Sequence, residues 1–166
     1  MAKEILDKGM ARVGPLAPSQ TWEDWMVELA CTTRRAPMAR RDGARVVAGA
    51  YLLHTNAITP VVEQSLEILE QVGFERLFAL GATMTLIRYA TGIALDEQAS
   101  PWRATPKASV AEQLAALPLP NIDPVRWPRT ADAMRRVTDG KLRDRERLFR
   151  LGALLIVRGL AESIHR

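Results

Sequence analysis

Apolar residues recur along the chain at intervals of three and four and rarely in strict alternation, which predicts helices nearly throughout. Ile5, Leu6, Met10 and Val13 form one stripe of a first helix over 2–13, which Gly14-Pro15 and Pro18 terminate. Trp22, Trp25, Met26, Leu29 and Ala30 carry the pattern into a second helix. Ser19 or Thr21 is its cap, and Glu23 and Asp24 meet the positive end of its dipole. Pro37 lies late in this segment and is expected to kink or end it. Asp42-Gly43 then breaks the chain and opens a short helix through about Tyr51, with His54-Thr55-Asn56 as a connector. Thr59 is the expected cap of the next helix, with Pro60 at its first position. Its face of Val61, Val62, Ser65, Leu66, Ile68 and Leu69 runs to a stop at Gly73.

The longest helix is predicted from Glu75 to Glu97. Leu77, Phe78, Leu80, Met84, Leu86, Ile87, Tyr89, Ile93 and Leu95 cover more than one of its faces, so it must pack on two sides. Gly81 and Gly92 lower its propensity but permit close helix approach. Over 99–128 the texture changes: Pro101, Pro106, Pro118, Pro120, Pro124 and Pro128 predict a long, partly mobile loop, with room for a helical turn or two at 109–117. A short helix over 129–137, broken by Asp139-Gly140, precedes a last helix from about Leu142 to Ile164. Leu148 to Val157 is apolar around most of that helix, more than one subunit of this size needs, which points to a second subunit. There is no internal repeat and no pair of strand patterns, so the fold class is all-α.

Composition adds bounds rather than a function. The 166 residues suit one domain, and 48% hydrophobic with 25% charged residues is ordinary for a globular chain. The net charge of +4 and sequence pI near 9.7 would suit a nucleic-acid surface, but no run of five like charges exists and the arginines are scattered. Cys31 is the single cysteine, so no intrachain disulfide forms and a reducing compartment is expected. The start, Met1-Ala2-Lys3-Glu4-Ile5, is too polar for a signal peptide, and no apolar stretch reaches the length of a membrane span; a cytoplasmic location is the expectation.

Candidate chemistry is sparse. His54 and His165 lie too far apart for metal-ligand spacing, and Cys31 on an apolar helix reads as a small core residue. Neither a phosphate-binding glycine loop nor a nucleophile elbow occurs. Glu63, Glu67 and Glu70 read as a solvated helix face. Trp22 and Trp25 share a face, with core packing favoured over a cavity wall. Asp96 and Glu97 end the long helix at its unfavourable negative pole, and an arginine such as Arg88, or a loop, is their expected partner.

Three segments carry a resemblance. The turn Arg41-Asp42-Gly43-Ala44, the helix ending at Gly73-Phe74, and the long helix ending Thr91-Gly92-Ile93-Ala94-Leu95-Asp96-Glu97-Gln98 resemble the C-terminal domain of the tetracycline-repressor (TetR) family. Gly152, Arg158 and Gly159 resemble the recurring features of its final helix. The resemblance implies a small-molecule-sensing and dimerisation domain of a transcriptional repressor, not an enzyme. The effector would lie between the second, fourth and long helices. The residues it places there are Trp25, Leu29, Thr33, Val47, Ala50, Tyr51, His54, Val62, Ser65, Leu69, Leu80 and Met84. The long and last helices would form a four-helix bundle with their twins in a homodimer, through Tyr89, Ile93, Leu148, Leu151, Gly152, Leu155 and Gly159.

Two departures narrow that expectation. The family carries a DNA-binding helix-turn-helix ahead of this domain. Here residues 1–18 resemble only a remnant of the helix linking head to body, with 19–166 as the effector-binding and dimerisation domain. Tetracycline repressors also hold drug-borne magnesium through a His and a Thr, at positions that are Val47 and Ala50 here. Their drug-contacting Asn, Phe and Gln fall at Leu29, Thr33 and Ser65. The expectation is therefore a small apolar effector with no metal or other cofactor and no membrane partner, DNA being bound only where a head exists. The alternative is a headless protein that binds a small molecule or pairs with a relative.

Overall fold

In a computed structural model describing residues 2–49, 58–99, 122–138 and 145–163, the described elements are all helical. They are α1 (Ala2–Met10), α2 (Trp22–Met38), α3 (Gly43–Gly49), α4 (Thr59–Gln71), α5 (Arg76–Ala99), α6 (Pro128–Thr138) and α7 (Arg145–Ser163). Ala50, Tyr51 and His54, His165, and the greater part of the expected 99–128 loop with its turn at 109–117, lie outside the described residues.

Local chemistry accounts for the boundaries. α1 stops at Met10, short of the expected Val13, where Arg12 and Val13 donate to the carbonyls of Gly9 and Met10 in a tightened turn. The Thr21 hydroxyl starts α2 by accepting from the Asp24 N–H at 3.1 Å. Pro37 sits in the last turn of α2, and the helix ends one residue beyond it, at Met38. Asp42 takes the left-handed conformation (φ 57°), which aspartate tolerates. Gly43 is required for a different reason: a Cβ there would collide with the Pro37 carbonyl. Ile58, not Thr59, is the residue before α4, and its side chain makes no capping bond; Pro60 supplies the preset backbone angle instead. At the far end Gly73 (φ 103°) donates to Glu70 O and Phe74 to Leu69 O, the paired bonds of a glycine-terminated helix. Glu75 receives the Phe78 N–H at 3.0 Å and so caps α5.

The chain divides into two compact units, 1–99 with 149–166, and 100–148. In the first, α2, α4, α5 and the 149–163 portion of α7 enclose a core in which Met26, Leu29, Leu69 and Leu86 are fully buried. Each such side chain contributes about 1.5–3 kcal/mol. α5 is long and apolar enough to cross a membrane by length and composition, which corrects the sequence reading. Here it is a core helix: Ala79, Leu86, Ile87, Ala90 and Ala94 are buried among the other helices. In the second unit, Asp123 accepts from the amides of Val125 and Arg126 just before α6, and Arg136 pairs with Asp132 at 2.8 Å along it.

Candidate functional site

A second apolar cluster stands apart from the main core. Ile5 and Leu6 of α1, Val47 of α3, Ile58 at the start of α4, and Met84 and Ile87 of α5 are all buried in it. Val46, Val62 and Leu80 pack around them. Four helices thus converge on a region lined, among the described residues, by aliphatic side chains and one thioether.

The predicted lining divides between the two clusters. Val47, Val62, Leu80 and Met84 come together here. Trp25, Leu29 and Leu69 instead belong to the main core, where Trp25 donates its indole N–H to the Gly14 carbonyl at 2.9 Å. Thr33 and Ser65 are buried but occupied: Thr33 donates to Leu29 O at 2.8 Å and Ser65 to Val61 O at 2.7 Å. Ile5, Leu6, Ile58 and Ile87 were not among the predicted residues. The stripe on the first helix was the available signal, since its apolar residues require a surface to bury against.

The end of α5 is a fastening. Glu97 grips Arg34 of α2 with two bonds, at 3.0 and 2.7 Å, and both side chains are about nine-tenths buried. The Arg34 guanidinium also lies 4.7 Å from the Phe149 ring centre, which joins α2, α5 and α7. Glu97 thus has the arginine partner that the sequence led us to expect, but it is Arg34 and not Arg88. Next to it, Gln98 donates to the carbonyls of Pro37 (3.1 Å) and Arg40 (2.9 Å) and accepts from the Ala44 N–H (2.7 Å). One amide side chain therefore satisfies backbone groups at the end of α2 and the beginning of α3. The Arg-Asp-Gly-Ala turn and the Asp-Glu-Gln segment are two halves of one joint, which holds α3 beside the second cluster.

The predicted interface residues also divide. Tyr89 stacks on Phe149 at 5.2 Å and donates to its carbonyl at 3.1 Å, and burial pushes its phenol pKa up. Gly152 faces Tyr89 so closely that a Cβ would overlap the phenol, and Ile93 packs against the main core. Leu148, Leu151 and Leu155 are 39%, 51% and 62% exposed, whereas Phe149, Ala153 and Val157 of the same helix are buried. Gly159 is exposed with open space at its Cβ position, as are Gly81 and Gly92 of α5.

Among the described residues, this cluster offers magnesium no ligand. The ion needs oxygen ligands and ordered waters near an octahedron. Val47 is 1% exposed among Ile, Leu and Met side chains, which offer no oxygen.

Comparison with known proteins gives the family and the fold. The tetracyclin repressor-like, C-terminal domain family matches residues 14–164, and the chain belongs to that family. It is 32% identical over 103 residues to the class E tetracycline repressor protein of Escherichia coli, covering 60% of this chain and 46% of that protein. It is 30% identical over 142 residues to the class C protein from the same organism, covering 84% and 58%. The chain thus spans about half the length of the curated relatives it matches. A possible TetR family transcriptional regulator from Streptomyces coelicolor A3(2) superposes with a TM-score of 0.74 at 25% identity, covering 98% of this chain and 75% of that one. A TetR variant from Acinetobacter baumannii AYE, solved in complex with minocycline, shares the fold with a TM-score of 0.63 at 22% identity, covering 97% and 68%.

Proposed function

We propose that the domain senses a small apolar molecule and dimerises, as the regulatory half of a TetR-like repressor in which ligand binding releases DNA. The observation that carries the reading is the second apolar cluster. It lies beside the main core, where α1, α3, α4 and α5 meet, and its lining is aliphatic. On this reading residues 1–18 link to a DNA-binding head and 19–166 form the sensing and dimerising domain. An effector that favours one arrangement of α1 over another would change the spacing of two heads. The minocycline-bound relative suggests that such a fold can admit a drug-sized ligand. Val47 and its aliphatic neighbours argue against a tetracycline carried with magnesium.

The exposed leucines of α7 and the open glycines of α5 support a homodimer built on those two helices. Ligand-dependent melting tests the sensing claim. A compound at a hundredfold excess over its Kd stabilises by about 2.7 kcal/mol, which for a chain of this size raises Tm by roughly 5–10 °C. No shift with any apolar compound would contradict it. Sedimentation at micromolar concentration tests the dimer, and a clean monomer would contradict the bundle.

A further inference from the structure

α1 belongs to two packing environments at once. Its C-terminal end is built into the main core: Met10 is buried there with its sulfur 3.8 Å from the Thr33 hydroxyl oxygen, while Gly9 lies so close to Ala36 that a Cβ could not be added. Its N-terminal half sends Ile5 and Leu6 into the second cluster, where they are 4% and 1% exposed. The polar contacts on that half are solvated. Lys3–Asp7 (2.7 Å) and Lys8–Glu4 (3.2 Å) lie within the helix, and Arg40–Glu4 (2.7 Å) joins it to the turn after α2. Exposed pairs of this kind contribute little. Apolar burial of Ile5 and Leu6 is therefore the main attachment of this half, and an apolar guest would compete for the same surface.

We propose that Ile5 and Leu6 are an intrachain occupant of the effector site, and that an uncharged aliphatic molecule binds by replacing them, swinging α1 about Gly9 and Met10. This rests on the second cluster being the effector site. The ligand class follows from the described lining. It holds no aromatic ring on which a planar ligand could stack. The buried hydroxyls of α4 and α5 have already committed their hydrogens: Ser65 donates to Val61 O (2.7 Å), Thr83 to Ala79 O (2.9 Å) and Thr91 to Ile87 O (2.9 Å).

Competition sets the sign of the test. When an occupant must leave first, apparent affinity falls by the fraction of molecules in which the site is open. Shortening the occupant therefore strengthens binding, whereas shortening a wall residue weakens it. The probe is 1-decanol, titrated by calorimetry into the full chain. Ile5→Ala and Leu6→Ala each bind it about threefold or more tighter than wild type, as relief of that competition requires. Hydrogen exchange on the wild-type chain gives a second reading that needs no variant: 1-decanol accelerates exchange of α1 amides through Lys8 and leaves α2 protected. Binding to wild type that is unchanged or weaker in Ile5→Ala, with unaltered α1 exchange, overturns the occupant proposal and leaves the site in place. No binding to wild type or to either variant overturns both.

Discussion

Replacing Gln98 by Ala removes three hydrogen bonds at the joint between α2, α3 and α5 while touching neither apolar cluster. Of the two that Gln98 donates, the bond to the Arg40 carbonyl is exposed, where water can substitute, and the bond to the Pro37 carbonyl is half-buried. The third leaves the amide of Ala44, a fully buried residue, without its 2.7 Å acceptor. A buried donor left unpaired costs about 1–3 kcal/mol, and each exchanged bond about 0.5–1.5 kcal/mol at most. Allowing for water at the exposed Arg40 carbonyl, the expected loss is roughly 2 kcal/mol, or about 4–8 °C in Tm. Urea unfolding followed by helical circular dichroism measures it, with Glu67→Ala as the solvated control. Gln98→Glu sharpens the test. It keeps an acceptor for Ala44 but replaces the one nitrogen that donates both bonds by an oxygen facing two carbonyls, so near neutral pH it is at least as destabilising as Gln98→Ala. A Gln98→Ala chain within about 0.5 kcal/mol of wild type, the ordinary range for a surface change, would refute the joint.

Other consequences follow from the same geometry. Gly152→Ala drives a methyl into the Tyr89 phenol and destabilises by about 1–3 kcal/mol; adding Tyr89→Phe relieves part of the overlap, so a double-mutant cycle by urea unfolding shows positive coupling. Glu75 has its carboxyl pKa lowered, chiefly by the Leu77 and Phe78 amides, so its stabilising contribution is present above the ordinary carboxylate value and lost as pH falls through the lowered one. Glu75→Gln is accordingly less stable than wild type at neutral pH, and the gap narrows below about pH 4 in an acid series of urea melts. Leu155→Arg, at a side chain 62% exposed, leaves monomer stability nearly unchanged but shifts sedimentation from dimer to monomer.

Much of the fold was legible because it rests on signals local to a few residues. Thr21 has the hydroxyl a helix start needs, and Gly73 the positive φ a helix end needs. The boundary at Thr59 shifted because Pro60 opens α4 without a side-chain cap. Pairings between distant segments were less legible. Glu97 reaches Arg34 and Gln98 reaches Ala44 across more than fifty residues, and no periodicity encodes such partners. The candidate lining divided for a related reason. A helical stripe identifies which residues are buried but not which of two neighbouring clusters receives them, so Trp25 and Leu69 joined the core while Val47 and Met84 met Ile5 and Leu6.

The central claim is that an apolar effector enters the second cluster and not the main core. Each cluster contains a buried methionine, Met84 in the second and Met26 in the first. Methyl-labelled methionine NMR during a titration with 1-decanol reads both together. The account predicts a saturable shift of the Met84 resonance with Met26 unmoved. A shift confined to Met26, or a saturating ligand that leaves Met84 in place, would contradict it.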